Sequence, residues 1–212
     1  MKQYYAARAP EYDRVYAKPE RQQDLRAIER WLPGVLHDRV VLEVACGTGY
    51  WTQFLAPPAT QLLAIDASAE VLRIARSRVG EEHVRFVLGD AYQLPAPSRG
   101  FEGAFAGFWF SHVPTARVGA FLDELHRALA PGAKVVLLDN RFVDTSSTAI
   151  SEKDADGNTY QLRRLEDGST HRVLKNFPTT RKLHQAVAGV ASEIRHHEWQ
   201  HFWALEYRLA EP

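Results

Sequence analysis

The chain has 212 residues, 45% hydrophobic and 25% charged, an ordinary composition for one packed core, and neither disorder nor a fibrous repeat is needed to account for it. Lysine plus arginine and aspartate plus glutamate each number 26, and the resulting zero formal charge argues against a dedicated nucleic-acid-binding surface. One cysteine excludes an internal disulfide, no signal-peptide pattern opens the chain, and the most apolar stretch, Gly103 to Phe110, is far short of the roughly 20 residues of a membrane helix, so the expectation is a cytoplasmic protein without a membrane span.

Met1 to Leu32 is polar and helix-compatible, with Tyr5, Tyr12 and Tyr16 able to share one face and Pro33-Gly34 closing it, which predicts a helical N-terminal cap over 1–32. Arg39 to Ala45 then reads as a strand running into a glycine turn, and Tyr50 to Leu55 as a helix stopped by Pro57-Pro58. Strands at Gln61 to Ile65, His83 to Leu88, Phe101 to Trp109 and Lys134 to Asp139 alternate with helices at Ser68 to Val79 and Thr115 to Leu129, the latter ending at Pro131-Gly132. Near-continuous apolar strands separated by helices predict a doubly wound, Rossmann-like α/β fold, mostly parallel and covered on both faces, with its ligand at the carboxyl ends of the strands over 39–140. Thr159 to Leu165 and Thr170 to Lys175 flank an Asp-Gly turn and predict an inserted hairpin within 144–178. A helix at Thr179 to Val190 and strands at Ser192 to Gln200 and Phe202 to Leu209 close the chain over 179–212 as an antiparallel pair, giving one domain across 1–212. Trp199, Phe202 and Trp203 fit either closing-strand core or a dimer surface, so the oligomeric state is open.

The chemistry concentrates in Val41-Leu42-Glu43-Val44-Ala45-Cys46-Gly47-Thr48-Gly49, where a strand enters a turn whose glycines let a ligand approach the backbone. Asp66 ends the second strand about 20 residues on, where a carboxylate can accept both hydroxyls of a ribose. Asp90 follows the third strand in Leu88-Gly89-Asp90-Ala91 and can pair with an exocyclic adenine amine. Together these describe an adenosine site. A nicotinamide dehydrogenase would require a third glycine where Thr52 stands.

In its order of acidic residue, glycine turn, strand-end acid and strand-end Gly-Asp-Ala, the chain resembles the class I S-adenosylmethionine-dependent methyltransferases over most of Met1 to Asn140, with Leu129-Ala130-Pro131-Gly132-Ala133-Lys134-Val135 as a further matching piece. The resemblance implies S-adenosylmethionine as cofactor and S-adenosylhomocysteine as product. It places Glu43 and the Ala45, Cys46, Gly47 and Gly49 backbone at the methionine part, Asp66 and Ala67 at the ribose, and Asp90 and Ala91 at the adenine. Ala45 departs from the pattern by replacing a glycine, which crowds the turn, and Cys46 reads as structural. The N-terminal segment resembles a cap that closes over the cofactor, with Tyr12 the expected contact, although its tyrosines can equally serve as packing.

A sulfonium methyl is already activated, so placing an acceptor lone pair in line is the main task, and a base is needed only for an acidic acceptor. His112, in Gly107-Phe108-Trp109-Phe110-Ser111-His112-Val113, is the candidate base, with Phe108 on the cofactor or acceptor pocket and Trp109 in the core. Arg163, Arg164, Arg172 and Lys175 give the hairpin a basic face, of a kind that is ordinarily only solvated. His196, His197 and His201 with Glu198 lack a zinc spacing, and no metal is expected. The reading is a methyltransferase for a small organic acceptor, with a macromolecular acceptor or a non-catalytic cofactor-binding protein as alternatives.

Overall fold

The computed structural model describes residues 8–97 and 100–211. Its centre is β1 (Val40–Val44), a strand with no exposed residue, pairing in parallel with β2 (Gln61–Asp66) on one side and β4 (Phe101–Gly107) on the other. With β3 (Val84–Leu88), β5 (Leu129–Asn140), and the late β9 (Ala191–Glu198) and β10 (Phe202–Leu209), they form a seven-stranded sheet in the order β3-β2-β1-β4-β5-β10-β9. β10 enters antiparallel to both neighbours, with Phe202 opposite Asn140 and Trp203 opposite Asp139.

Because successive strand residues point to opposite faces, the apolar strands feed two cores. Val41, Leu62 and Phe105 pack under α1 (Gln22–Leu36), α2 (Thr52–Leu55) and α3 (Ala69–Val79), which contribute Leu25, Leu55 and Leu72. Leu42, Ile65 and Leu137 pack on the other face under α4 (Val118–Arg127) and α5 (Thr180–Ala186), through Phe121, Leu125 and Leu183. Burying each such side chain contributes roughly 1.5–3 kcal/mol. Phe202 and Trp203 are 1% and 3% exposed and belong to the core, while Trp199 is half-buried at its edge.

Several boundaries differ from expectation for tertiary reasons. α1 runs through Pro33-Gly34 to Leu36, because Val35 and Leu36 are buried against the sheet and hold the last turn. The N-terminal segment reaches α1 through two short 3-10 helices, Ala9–Tyr16 and Pro19–Arg21, and Tyr5 lies outside the described residues. The helix expected from Thr115 begins as a 3-10 turn, and β5 starts at Leu129, ahead of Pro131-Gly132. β4 stops at Gly107, two residues short of Trp109, since Phe108 takes a left-handed φ of 58° and a 3-10 turn, Phe110–His112, follows. The closing helix ends at Ala186.

The inserted hairpin is a three-stranded antiparallel sheet, β6 (Glu152–Lys153), β7 (Thr159–Arg164) and β8 (Thr170–Leu174), with a small core of Leu165 and Val173. Past β8, Asn176 N–H donates to Ser111 O at 2.7 Å, tying this sheet to the carboxyl ends of β4 and β5. Among the described residues no helix is long and apolar enough to cross a membrane.

Candidate active site

The strand-to-turn passage after β1 carries backbone strain. Ala45 has φ 55°, a left-handed conformation that costs an L-residue roughly 1–2 kcal/mol, so its departure from glycine is felt in the backbone rather than in crowding. Gly47 follows at φ 55°, and a Cβ there would meet Tyr12 Oη at 3.2 Å. Tyr12 therefore lies directly on the turn. Its neighbour Asp13 fixes it there: Thr48 Oγ1 donates to Asp13 Oδ1 at 2.6 Å, and Arg78 of α3 pairs with Asp13 Oδ2. Gly49 is needed for a different reason, since a Cβ would stand 3.1 Å from Ala75 of α3.

At the carboxyl ends of β1 to β4 lies a cavity of about 230 Å³, lined among others by Tyr12, Ala45, Gly47, Asp66, Ala67 and Asp90, and also by Ala91, Phe108 and His112. Glu43, Cys46 and Gly49 stand behind the turn instead of on this wall: the pleat turns Glu43 inward, where it is 1% exposed, Cys46 is 8% exposed, and Gly49 packs on α3. Asp66 is held by the turn it faces, its Oδ2 accepting from Gly47 N–H and its Oδ1 from Ser68 N–H, each at 2.9 Å. Burial raises its carboxyl pKa, and those N–H donors oppose the rise. Asp90 Oδ1 accepts from Tyr92 N–H at 3.0 Å, and Arg117 lies over the Tyr92 ring at 3.6 Å. Tyr92, Arg117 and Trp109 also line the cavity, and sequence reading missed Tyr92 and Arg117. Trp109, expected in the core, is half-buried on the cavity wall because the strand alternation that would bury it ends at Gly107.

Glu43 tests whether these residues suit the cofactor that the pattern implies. Its carboxyl is pushed up to about 8, first by burial and then by Asp66, with Thr52 opposing, and its Oε2 has no hydrogen-bond partner among the described residues. An unsatisfied acid behind the turn suits a cationic amino group in front of it, and the bare Gly47 backbone suits close approach. The residues fit. Cys46 is inert here, since burial pushes its thiol far up.

A second cavity, about 330 Å³, adjoins the first and shares Tyr12, Phe108 and His112 with it. The N-terminal segment and the small sheet cover it, joined to each other by Arg14 with Glu166 and by Glu166 N–H donating to Glu11 Oε1 at 3.1 Å. His112 is 5% exposed, and its Nδ1 lies 2.6 Å from Leu174 O; a carbonyl only accepts, so Nδ1 carries the proton and Nε2 the lone pair. Burial, then Lys175 and Arg163, push its pKa well below the ordinary histidine value.

Lys175 corrects the reading of the hairpin as a solvated basic face. It is 4% exposed, donating to Ser111 Oγ at 2.6 Å and to Asp139 Oδ1 at 2.8 Å. Burial lowers its ammonium pKa to about 8 despite Asp139. Arg163 and Arg164 line the second cavity, whereas Arg172 pairs with Glu152 on the surface. The late histidines have separate partners: His197 meets Glu206, His201 meets Asp24, and His196 lies near Glu198. Among the described residues no three potential ligands gather to hold a metal.

Comparison with known proteins agrees with this geometry. A family model described as "Methyltransferase domain" matches residues 41–132. The solved complex of DhpI with SAM and HEP is 31% identical, covering 97% of this chain and 94% of that one with a TM-score of 0.79. The DhpI complex with SAH is 29% identical over 100% and 96%, with a TM-score of 0.80. Demethylmenaquinone methyltransferase of Staphylococcus aureus is 36% identical over 110 residues, 50% of this chain and 45% of that protein, so the chain spans about half the length of the curated relatives it matches. A seven-stranded, mostly parallel sheet with a cavity at the carboxyl ends of its strands defines a Rossmann-like fold. The chain belongs to the class I S-adenosylmethionine-dependent methyltransferases.

Proposed function

We propose that this protein transfers the sulfonium methyl of S-adenosylmethionine to a small organic acceptor seated in the second cavity. The supporting observation is the shared wall, in which Tyr12, Phe108 and His112 border both cavities. The cofactor supplies a methyl group already activated on a cationic sulfur, whose leaving group is a neutral thioether. The chain's own part is placement. Asp66 and the Ala67 backbone serve the ribose, Asp90 and Ala91 the adenine, and the Ala45 to Gly49 turn, with Glu43 behind it, the methionine part. Tyr12 and the segment latched by Asp13 exclude water from the transfer path. His112 Nε2 takes the proton of a hydroxyl or other acidic acceptor, while an acceptor already ionised leaves it a positioning role.

A cavity of about 330 Å³ suits a small molecule better than a polymer. The relatives named above are consistent with this, one named for demethylmenaquinone and one solved with SAM together with HEP. The test is calorimetric titration with S-adenosylmethionine and S-adenosylhomocysteine, followed by transfer of a labelled methyl to a panel of small acceptors. Micromolar binding that Asp66→Ala weakens by about tenfold or more is the expected result, since a hydrogen bond to a charged group is worth roughly 1.5–3 kcal/mol. Binding untouched by that substitution would overturn the assignment of the ribose site.

A further inference from the structure

The second cavity gathers cations that the fold does not neutralise. Of its described lining residues, Glu11 is the one acid, and it is engaged with Arg14 and with the Glu166 backbone. Two lining cations have close carboxylates elsewhere, Arg14 with Glu166 and Lys175 with Asp139. Among the described residues Arg21 and Arg163 make no ion pair, and Lys18 makes only a long one. Arg21 is 5% exposed, and its guanidinium donates only to neutral groups: Ser146 Oγ at 2.9 Å, Asn140 Oδ1 at 2.9 Å and Ser146 O at 3.2 Å. Arg163 donates to Gln161 Oε1 at 2.9 Å, and among the described residues no carboxylate lies within ion-pair distance of it. Lys18 donates to Ser146 O at 2.6 Å and has its nearest acid, Glu20, at 4.0 Å.

These groups also crowd one another. Burial pushes the Lys18 ammonium and the Arg21 guanidinium down, and Arg163 adds to the fall in both against the opposing pull of Glu20 on each and of Asp24 on Arg21; Arg163 also lowers His112 and Lys175. Like charges held together around a cleft, donating to neutral acceptors and only partly offset by Glu20 and Asp24 behind them, are costly unless a ligand brings the opposite charge. A buried arginine whose fork is half committed to fixed neutral partners is also preorganised to meet a planar or tetrahedral oxyanion. The same cavity is bordered by Val15, Leu162, Leu165 and Phe177, which give an organic body somewhere apolar to lie.

We propose that the methyl acceptor is a small molecule carrying an oxyanion head group, a carboxylate or a phosphoryl-type group, bound by Lys18, Arg21 and Arg163. This rests on the reading of the second cavity as the acceptor site. It makes the small sheet part of acceptor recognition through Arg163, and it explains how a chain of zero net charge presents a strongly cationic pocket: the acids lie elsewhere on the surface.

The test is calorimetric titration of the full chain, with and without S-adenosylhomocysteine, with inorganic phosphate, acetate and glycerol as probes. Phosphate or acetate should bind where glycerol does not, and the tighter of the two identifies the head group. Arg163→Gln should weaken that binding by about tenfold and Arg163→Lys by much less, because charge is retained. Affinity for S-adenosylhomocysteine should stay within about twofold in both variants, which also shows that each is folded. Anions binding no better than glycerol, or binding Arg163→Gln as well as the wild type, would overturn the proposal. Loss of S-adenosylhomocysteine binding by the wild type would instead count against the cofactor reading, with the anion titration still readable in its absence.

Discussion

Glu43 gives the clearest linkage between a single residue and pH. Its carboxyl is raised from 4.5 to about 8 in the fold, so the folded protein holds a proton that the unfolded chain releases at lower pH. The stability this contributes is complete below about pH 4.5 and is lost as pH rises through about 8, a change of roughly 3–5 kcal/mol. Glu43→Gln cannot titrate. It should flatten this part of the profile and melt above the wild type at pH 8.5, as followed by thermal denaturation at a series of pH values. His112 shifts the other way, burial keeping its ring neutral below the ordinary histidine range. With an acidic acceptor, kcat should hold constant from about pH 7 upward and decline only well below pH 6.5. His112→Gln should remove that acid limb and lower kcat by roughly 10²-fold or more with little change in cofactor affinity. An unchanged pH–rate profile in the variant would leave His112 a positioning role alone.

At the scale of elements, what holds the site together is one short helix latched to a turn. Asp13 joins the 3-10 helix Ala9–Tyr16 to both Thr48 and Arg78, and so places Tyr12 over Gly47. Asp13→Asn should loosen that cover and raise the dissociation rate of S-adenosylhomocysteine by about three- to tenfold while changing the association rate little, as stopped-flow fluorescence would show. The strands around the turn were legible because they are local: an apolar run, a glycine turn, and acids at Asp66 and Asp90 all lie within a few residues of the elements that position them. The elements around the second cavity were not. Arg21 acquires its meaning from Ser146 and Asn140, and Lys175 from Ser111 and Asp139, each more than a hundred residues or several strands away. Trp109 was misread because nothing in Phe108-Trp109-Phe110 signals a left-handed residue that ends the alternation.

Across the whole molecule, the two cores and the central strands β1, β4 and β5 form an apolar frame, while the cover over the second cavity is joined to that frame by polar contacts, Arg21 with Asn140 and Lys175 with Asp139 among them, and adds only the small core of Leu165 and Val173. Amide exchange should therefore be slowest in β1, β4 and β5 and fastest in the N-terminal segment and around Glu166. Adding S-adenosylhomocysteine together with a bound anion should protect 8–21 and 159–175 jointly, since Arg14 with Glu166 and Glu166 N–H with Glu11 link the two parts of the cover. Protection of one without the other would show that they move independently. The bond from Lys175 to Asp139 and Ser111 bears on how such a site changes over time. A small sheet grafted from a relative would leave Asp139 stranded as a buried acid unless the graft carried a lysine at the same register. Inheritance is thus coupled across the chain: the insertion and the tip of the fifth strand must change together, or the incoming insertion must bring its own lysine.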